Sequence, residues 1–238
     1  MNAAMYKALS GAVTQMRRLE TTAQNIANLG TVGYKTERLS FAEIVAGGLR
    51  EREHTGGLVA VVEQRTDLSQ GPLDETGNPL DLAIDGDGFF SIQTPRGVRY
   101  TRAGIFRLSS DSTVTTPLGD ALLGAQGPIR VQGETVKVSP QGAVLVDGAE
   151  VGTIRVVRFD DPRVLAKEGQ NLFVAPDGAE TPATDFQVRQ GTLERANVSA
   201  IEEMVKLITL QRQFEAYERA MRMMDAATER LLTEGARL

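Results

Sequence analysis

Cysteine and tryptophan are absent from this 238-residue chain, histidine occurs once, and aromatic residues make up only 5%. The absence of cysteine excludes disulfide scaffolds, thiolate metal sites and cysteine nucleophiles. With His54 as the single imidazole, a multi-histidine metal site is excluded and a Ser-His-Asp triad would have only one possible base. Because His54 stands in polar sequence beside Arg52 and Glu53, we expect a solvated side chain rather than a catalytic one.

Long apolar runs are also missing. No uninterrupted apolar segment approaches the ~18 residues that suggest a membrane-spanning helix, so no membrane insertion is expected. The first ten residues lack the basic region and apolar core of a secretory signal peptide. The 26 basic and 31 acidic residues give a net charge of −5, whereas nucleic-acid-binding proteins usually carry a basic face. The sequence predicts a cytoplasmic protein, or one exported without a cleaved signal peptide, that binds no nucleic acid.

The N-terminal end carries helical periodicity. Residues 1 to about 28 predict one helix, because their apolar side chains recur every three or four residues as an a/d seam. The seam residues are Met5, Leu9, Ala12, Met16, Leu19, Ala23 and Ile26. After this segment Gly30 and Gly33 are expected to end the helix, since glycine tolerates left-handed backbone conformations.

The C-terminal end carries the same pattern. Residues about 198 to 233 predict a second helix, ~50 Å long at 1.5 Å per residue, and Ser199 and Glu202 form a capping-box pattern at its start. The seam residues are Leu207, Leu210, Phe214, Tyr217, Met221, Met224 and Leu231. Upstream, the apolar face broadens to include Ile201, Met204, Val205 and Ile208.

Between the helices, from about Gly71 to Gly191, short apolar runs are separated by turn residues. Examples are Leu80–Ile84, Phe89–Ile92, Val136–Val138, Ala143–Val146 and Ile154–Phe159. Regularly spaced short strands with Gly, Pro, Asp and Asn between them predict antiparallel hairpins. The fold class expected is therefore α+β: a mainly antiparallel β central domain flanked by long N- and C-terminal amphipathic α-helices that pair in a coiled-coil-like inner layer.

The predicted domain organisation has three parts. Residues 1–35 and 197–238 form a terminal helical domain, residues 36–70 an extended connector, and residues 71–196 a β-rich outer domain. Within the connector, Phe41, Ile44 and Val45 could continue a short helix, and Gly47-Gly48 and Gly56-Gly57 look like hinges.

The two seams admit two interpretations. An a/d stripe is too narrow to bury a helix in a large core, so each helix needs a helical partner. Either the two helices pack on each other within one monomer, or the seams pair between subunits of a self-assembling protein. The sequence favours the second interpretation.

Motifs that could carry chemistry are weak. The segment Asp81–Gly88 has three carboxylates and two glycines, but the twelfth position of an EF-hand loop would be Ile92 or Arg96 instead of glutamate. We therefore expect a turn between strands. No Walker-type loop and no Gly-x-Ser-x-Gly elbow occur, and no acid/base pair stands out. The sequence predicts no enzyme activity, no cofactor, no metal and no small-molecule substrate.

Three segments resemble one known family. Thr22–Lys35 is similar to the N-terminal signature of bacterial flagellar axial proteins, the rod and hook family. Leu80–Phe90, followed by Tyr100–Phe106, resembles that family's central β motif, and Gln190–Tyr217 resembles its C-terminal signature. The motif residues are Asn25, Ala27, Asn28, Thr31, Gly33, Tyr34, Lys35, Gly86, Gly88, Phe89 and Phe90.

The resemblance implies a structural subunit of the flagellar basal-body rod. Such subunits leave the cell through the flagellar type III export apparatus and polymerise helically in the periplasm with themselves and other axial proteins. The resulting drive shaft transmits torque; the terminal helices form its inner tube and the β domain its outer shell. Within the family, the short chain favours a proximal-rod subunit over a distal-rod or hook-type subunit. A non-flagellar binding module with helical ends is the remaining alternative.

Overall fold

Both predicted helices are present. The computed structural model describes the backbone of residues 3–44 and 58–235 and, within them, the side chains of residues 9–40, 64–227, 229 and 230. Helix α1 spans Ala3–Ala27 and helix α2 spans Ala200–Gly235. The Ser199 hydroxyl accepts a hydrogen bond from the Glu202 backbone N–H at 3.4 Å, so the expected N-cap is found, and the two helix predictions are confirmed.

Nineteen short strands and one 3-10 helix at Pro162–Val164 lie in the described part of the chain between the helices. The strands are β1 Glu37–Ile44, β2 Leu58–Thr66, β3 Leu73–Glu75, β4 Leu82–Gly86, β5 Phe89–Thr94, β6 Gly97–Thr101, β7 Arg107–Leu108, β8 Val114–Thr115, β9 Ala121–Gly124, β10 Gly127–Pro128, β11 Val136–Val138, β12 Ala143–Val146, β13 Ala149–Thr153, β14 Val156–Phe159, β15 Ala166–Gly169, β16 Leu172–Val174, β17 Glu180–Pro182, β18 Phe186–Gln190 and β19 Thr192–Glu194. Each apolar run singled out in the sequence contributes to one of these strands, so the predicted β-rich middle is confirmed.

The suggested short helix at Phe41 and Ile44 is wrong. Both residues lie in β1, which pairs with β2 in a two-stranded sheet. Burial along Glu37–Ser40 alternates between the inner and outer sides with the two-residue period of a strand. Two or three apolar residues at helical spacing are weak evidence for a helix, and pairing with β2 holds this segment as a strand instead. Val45, Gly47-Gly48, Gly56-Gly57 and His54 lie outside the described residues.

The chain forms two compact units. The helical unit is built from the described residues of Met1–Ala27, Glu37–Arg65 and Ser199–Leu238, and the β unit is built from Asn28–Thr36 and Thr66–Val198. In the helical unit, α1 and α2 pack on each other within one chain. A Cβ on Gly11 would lie 2.7 Å from Tyr217 Cε1, so glycine permits the helices to approach closely here.

The β unit contains a ten-stranded sheet in the order β15-β16-β6-β5-β9-β8-β7, with β10 on β9 and with β14 joining β5 to β17. A three-stranded sheet, β11-β12-β13, and two ribbons, β18-β4 and β19-β3, complete it. These strands pair antiparallel. Strand β5 has a core on each face: Phe90 packs with Phe106 and Ile92 in one cluster, and Phe89 packs with Phe159 and Phe173 in another.

The described helices contain no stretch that is both long and apolar enough to cross a lipid bilayer.

Candidate functional site

The seam of α1 is divided between the inside and the outside of the helical unit. Ala12 is buried and Leu19 and Ile26 are half-buried, whereas Leu9 and Met16 are 51% and 47% exposed. Ala23 is exposed as well, and Val13 adds a further exposed apolar side chain beside Leu9 and Met16. Contact with α2 therefore leaves an apolar stripe on the outer side of α1; the Met5 side chain lies outside the described ones.

Most seam residues of α2 face the interior of the helical unit. Leu210 is buried, and five further seam residues are half-buried: Leu207, Phe214, Tyr217, Met221 and Met224. The broader apolar face upstream is exposed, since each of its four side chains is at least half accessible to solvent: Ile201, Met204, Val205 and Ile208. The side chain of Leu231 is not among the described ones. Packing within one chain thus occurs, and it does not cover all the apolar surface that the sequence assigned to seams.

Asn25 of the N-terminal motif fastens β1 to α1. Its side-chain Nδ2 donates to the Glu37 carbonyl oxygen at 3.0 Å, and its Oδ1 accepts from the Glu37 N–H at 3.0 Å. Nδ2 also lies 3.4 Å from Glu203 Oε2 on α2. The Asn25 amide is fully buried and offers one donor and one acceptor in the same plane. It therefore binds both the N–H and the carbonyl oxygen of Glu37, as the backbone of a neighbouring strand would. One side chain consequently joins three elements of the helical unit.

Lys35, Arg102 and Glu194 form a buried ionic cluster in the β unit. Glu194 Oε1 accepts from Lys35 Nζ at 2.5 Å and from the Gly71 N–H at 2.8 Å, while its Oε2 accepts from Arg102 Nη1 at 3.3 Å. The Lys35 and Glu194 side chains are fully buried and that of Arg102 is 3% exposed. Burial lowers the pKa values of Lys35 and Arg102, and the Glu194 charge opposes both shifts.

Carbonyl oxygens complete the cluster. Arg102 Nη2 donates to the Gly86 carbonyl oxygen at 2.8 Å, and Lys35 Nζ donates to that of Ser69 at 2.7 Å. Charged groups this deep need hydrogen bonds to persist, and among the described residues Arg102 Nε is the one donor of the cluster without an acceptor. The cluster therefore ties together residues from the N-terminal, central and C-terminal motifs. The sequence showed Arg102 and Glu194 inside motif segments, but nothing local indicated that they would be buried together.

Asn197 makes a second clamp beside the cluster. Its Oδ1 accepts from the Thr36 N–H at 2.8 Å, and its Nδ2 donates to the carbonyl oxygens of Asp67 and Ser69 at 2.8 and 3.0 Å. The Asn197 N–H in turn lies 3.4 Å from the Tyr34 carbonyl oxygen. Sequence analysis did not select Asn197, whose role depends on chain segments more than a hundred residues away.

Gly33 is held where only glycine fits. Its φ is +68°, and a Cβ would lie 2.3 Å from the Ala103 backbone nitrogen. The Gly33 N–H donates to the Glu194 carbonyl oxygen at 2.7 Å. A side chain would therefore impose backbone strain and separate the N-terminal motif from the central one.

The remaining residues of the N-terminal motif have structural contacts. Ala27 is the exposed last residue of α1. Thr31 Oγ1 donates to Asn28 Oδ1 at 3.1 Å, and the Thr31 N–H donates to the Asn28 carbonyl oxygen at 3.0 Å, which makes a local turn. The ring of Tyr34 is buried and has Lys167 Nζ 4.0 Å from its centroid. These residues shape the backbone, and no reactive group projects from them.

The segment Asp81–Gly88 hydrogen-bonds to the protein itself. Asp81 accepts from Thr76 and Asn78 at 2.7 and 3.0 Å, and Asp85 Oδ2 lies 2.6 Å from Arg189 Nη2. Among the described residues, no group of three or more His, Cys, Asp or Glu side chains could hold a metal ion. Leu82–Gly86 of this segment form β4, and Gly86–Gly88, with φ of +105° at Gly86 and +155° at Gly88, form the turn into β5.

Gly88→Val is expected to lower the free energy of unfolding of the β unit by about 2 kcal/mol. The Gly88 backbone favours glycine, and an added Cβ would lie 2.5 Å from Val156 Cγ1. Thermal denaturation measures the change. Gly152→Val is the matched control, because Gly152 lacks positive φ and an added Cβ meets no atom within 4 Å.

Asp87→Asn should leave the melting temperature unchanged, and so should millimolar Ca²⁺. A rise of several degrees with Ca²⁺ that Asp87→Asn removes would contradict the turn assignment.

Comparison with known proteins links the three motif regions to one family. The family model "Flagella basal body rod protein" matches residues 5–35, "Flagellar hook protein FlgE/F/G D1 domain" matches 83–146, and "Flagellar basal body rod FlgEFG protein C-terminal" matches 189–234. Lys35, Arg102 and Glu194 fall one in each of these regions, so the buried cluster joins all three.

Several curated proteins are similar over nearly their whole length. The chain is 37% identical to the flagellar basal-body rod protein FlgF of Caulobacter vibrioides, with 96% of this chain and 95% of that protein covered. It is 32% identical to FlgF of Mesorhizobium japonicum, with 96% of each covered. It is 31% identical to the flagellar basal-body rod protein FlgG of Borreliella burgdorferi, with 94% and 96% covered.

Proposed function

Because the chain belongs to the family of flagellar basal-body rod proteins, we propose that it polymerises helically with copies of itself and with other axial proteins into the drive shaft that transmits torque. The observation that carries this proposal is the apolar surface left exposed on both helices after they pack together. Leu9, Val13 and Met16 on α1 and Ile201 and Val205 on α2 form contiguous patches of the kind that mark protein contacts.

The proposed activity is mechanical, with no substrate turned over. The helical unit forms the inner layer of the shaft through the apolar side chains that the packing of α1 on α2 leaves exposed, and the β unit forms the outer shell. The internal clamps of both units support such a role, because fixed elements transmit force without rearranging. The proposed location is the periplasmic rod of the basal body, reached through the flagellar type III export apparatus.

The proposed position in the shaft is the proximal rod. The similarity to FlgF proteins over nearly the whole chain supports this position. A distal-rod subunit is the second candidate, because the chain is also 31% identical to an FlgG protein over almost its full length.

Deletion of the gene should abolish motility and leave no complete rod in purified basal bodies. Re-expression of the intact chain should restore both, and the tagged protein should co-purify with basal bodies. Electron microscopy of those preparations measures rod completeness. A deletion strain that still swims and builds complete basal bodies would contradict the proposed function.

A further inference from the structure

The ladder between β1 and β2 ends in a pair that is only half closed. Asp67, the residue after β2, donates its N–H to the carbonyl oxygen of Thr36, the residue before β1, at 2.8 Å. Because the end of β2 meets the start of β1, the two strands run antiparallel. Opposite residues of a hydrogen-bonded antiparallel pair exchange two N–H···O bonds. Here the Thr36 N–H donates to Asn197 Oδ1 at 2.8 Å instead, so the second bond of the pair passes through a side chain.

The Asn197 amide fills the open half of this pair. Its Oδ1 accepts from the Thr36 N–H, and its Nδ2 donates to the Asp67 carbonyl oxygen at 2.8 Å. A side-chain amide carries both a donor and an acceptor, so it can stand between a backbone N–H and a backbone carbonyl and satisfy both. We call Thr36, Asp67 and the Asn197 amide between them the fork. Thr36, Asp67 and Asn197 all belong to the β unit.

The two backbone groups that the amide separates are complementary to each other. The Thr36 N–H is a donor, the Asp67 carbonyl is an acceptor, and the bond in the other half of the pair already holds these residues opposite each other. Without the amide between them, they can bond directly and extend the ladder by one regular pair. The fork thus has a second arrangement, the closed state, that needs no side chain.

The groups around the fork also have partners in the closed state. The Ser69 carbonyl oxygen accepts from Asn197 Nδ2 at 3.0 Å, but it also accepts from Lys35 Nζ at 2.7 Å. The Thr36 hydroxyl lies 2.8 Å from Asn197 Oδ1 and 2.9 Å from the Asn197 carbonyl oxygen, to which it can donate instead. The Asn197 side chain is only half-buried, so a released amide can hydrogen-bond water. Closure therefore avoids the penalty for burying a polar group without a partner.

Asn25 of the helical unit provides a contrast. Its amide also binds one backbone N–H and one carbonyl oxygen, each at 3.0 Å, but both belong to the buried residue Glu37. An extended residue directs its own N–H and carbonyl to the same side, where they cannot bond each other. Removal of the Asn25 amide would therefore leave two buried groups without that partner, whereas removal of the Asn197 amide leaves two groups that can replace it.

We propose that the Asn197 side chain is a removable wedge. With the amide in place the fork is clamped open; when the amide turns out, the Thr36 N–H donates directly to the Asp67 carbonyl oxygen. Asn197 stands two residues before Ser199, the N-cap of α2, so a rotation of residues 195–199 would withdraw the amide. The fork thereby couples that segment to the spacing between the chain entering β1 and the chain leaving β2. Conformational switches use elements with two such discrete arrangements.

Nuclear magnetic resonance of the full chain tests the closed state. The scalar coupling through a hydrogen bond between the Thr36 amide nitrogen and the Asp67 carbonyl carbon is expected in Asn197→Ala and not in wild type. Hydrogen exchange is a second readout. The Thr36 N–H should exchange within ~3-fold of the wild-type rate in Asn197→Ala, because it keeps a backbone partner. The Glu37 N–H should exchange ~10-fold or more faster in the matched control Asn25→Ala.

Circular dichroism verifies that each variant is folded. If Asn197→Ala does not fold, Asn197→Ser replaces it, because a serine side chain is too short to bridge the fork. Absence of the coupling from a folded Asn197 variant would overturn the proposal, and so would its presence in wild type. Failure of both Asn197 variants to fold would overturn it as well, since a removable wedge is not essential to the β unit. The inference concerns a single chain, so each of these results leaves the proposed rod function standing.

Discussion

Glu194→Gln is expected to lower the free energy of unfolding of the β unit by about 3–5 kcal/mol. The substitution keeps the size of the side chain but removes the carboxylate that contacts both buried cations, Lys35 and Arg102. Chemical denaturation followed by circular dichroism measures the loss. Asp74→Asn is the matched control, because Asp74 lies on the partner strand of the same ribbon and its ion pair with Arg195 is exposed to solvent. That control should change stability by less than ~1 kcal/mol.

The pH dependence of this variant separates an electrostatic cause from a steric one. Burial already lowers the pKa of Lys35, and Glu194 opposes that shift, so the pKa falls further in Glu194→Gln. Between this lowered value and the unfolded value of about 10.4, the unfolded chain holds more protons than the folded one. Stability of the variant therefore rises with pH in that window. The deficit relative to wild type should therefore shrink as the pH rises toward the unfolded pKa of Lys35, whereas a pH-independent deficit would contradict the cluster's electrostatic role.

Met16→Asp should abolish motility while leaving the isolated chain folded. Met16 lies on the exposed side of α1, so a carboxylate there is solvated in the monomer. In the proposed shaft the same charge would be buried in an apolar contact at every subunit, and an unpaired buried charge is costly. Soft-agar swimming and co-purification with basal bodies measure assembly, and circular dichroism measures helix content.

Two further substitutions sharpen this prediction. Gln24→Asp adds the same charge at an exposed position of α1 outside the seam, and it should preserve motility. Leu210→Asp places the charge at a buried position of α2, so it should reduce helix content in the isolated chain as well. If a strain carrying Met16→Asp still swims, the outer face of α1 is not part of the assembly surface.

The sequence predicted the elements much better than the contacts between them. Apolar spacing gave both helices nearly to the residue, since each is long and strongly periodic. It failed for β1, where Phe41 and Ile44 match a helical spacing over too few residues to exclude a strand. It also could not assign Leu9 to the outside and Ala12 to the inside of the helical unit, because an a/d pattern marks a face without naming its partner.

The buried polar residues were the least predictable part of the site. Lys35 and Glu194 are 159 positions apart, and charged residues in a sequence usually indicate solvent exposure. Family resemblance selected Lys35 and Gly33 as motif residues but assigned them no contact. Their roles are defined only by contacts in the folded chain. Gly33 packs against the backbone of Ala103, and Lys35 forms an ion pair with Glu194.

The two ribbons of the β unit impose an order on its folding. Strand β3 pairs with β19 and β4 with β18. Strands near the start of the unit therefore cannot pair until strands near its end are present. Such pairings of high sequence separation form late, because the intervening chain must close a long loop first. During synthesis the N-terminal residues are made first, at ~5–20 residues per second. Lys35 and Arg102 therefore lack Glu194 until about residue 194 has been added. The β unit therefore remains incomplete until most of the polypeptide has emerged.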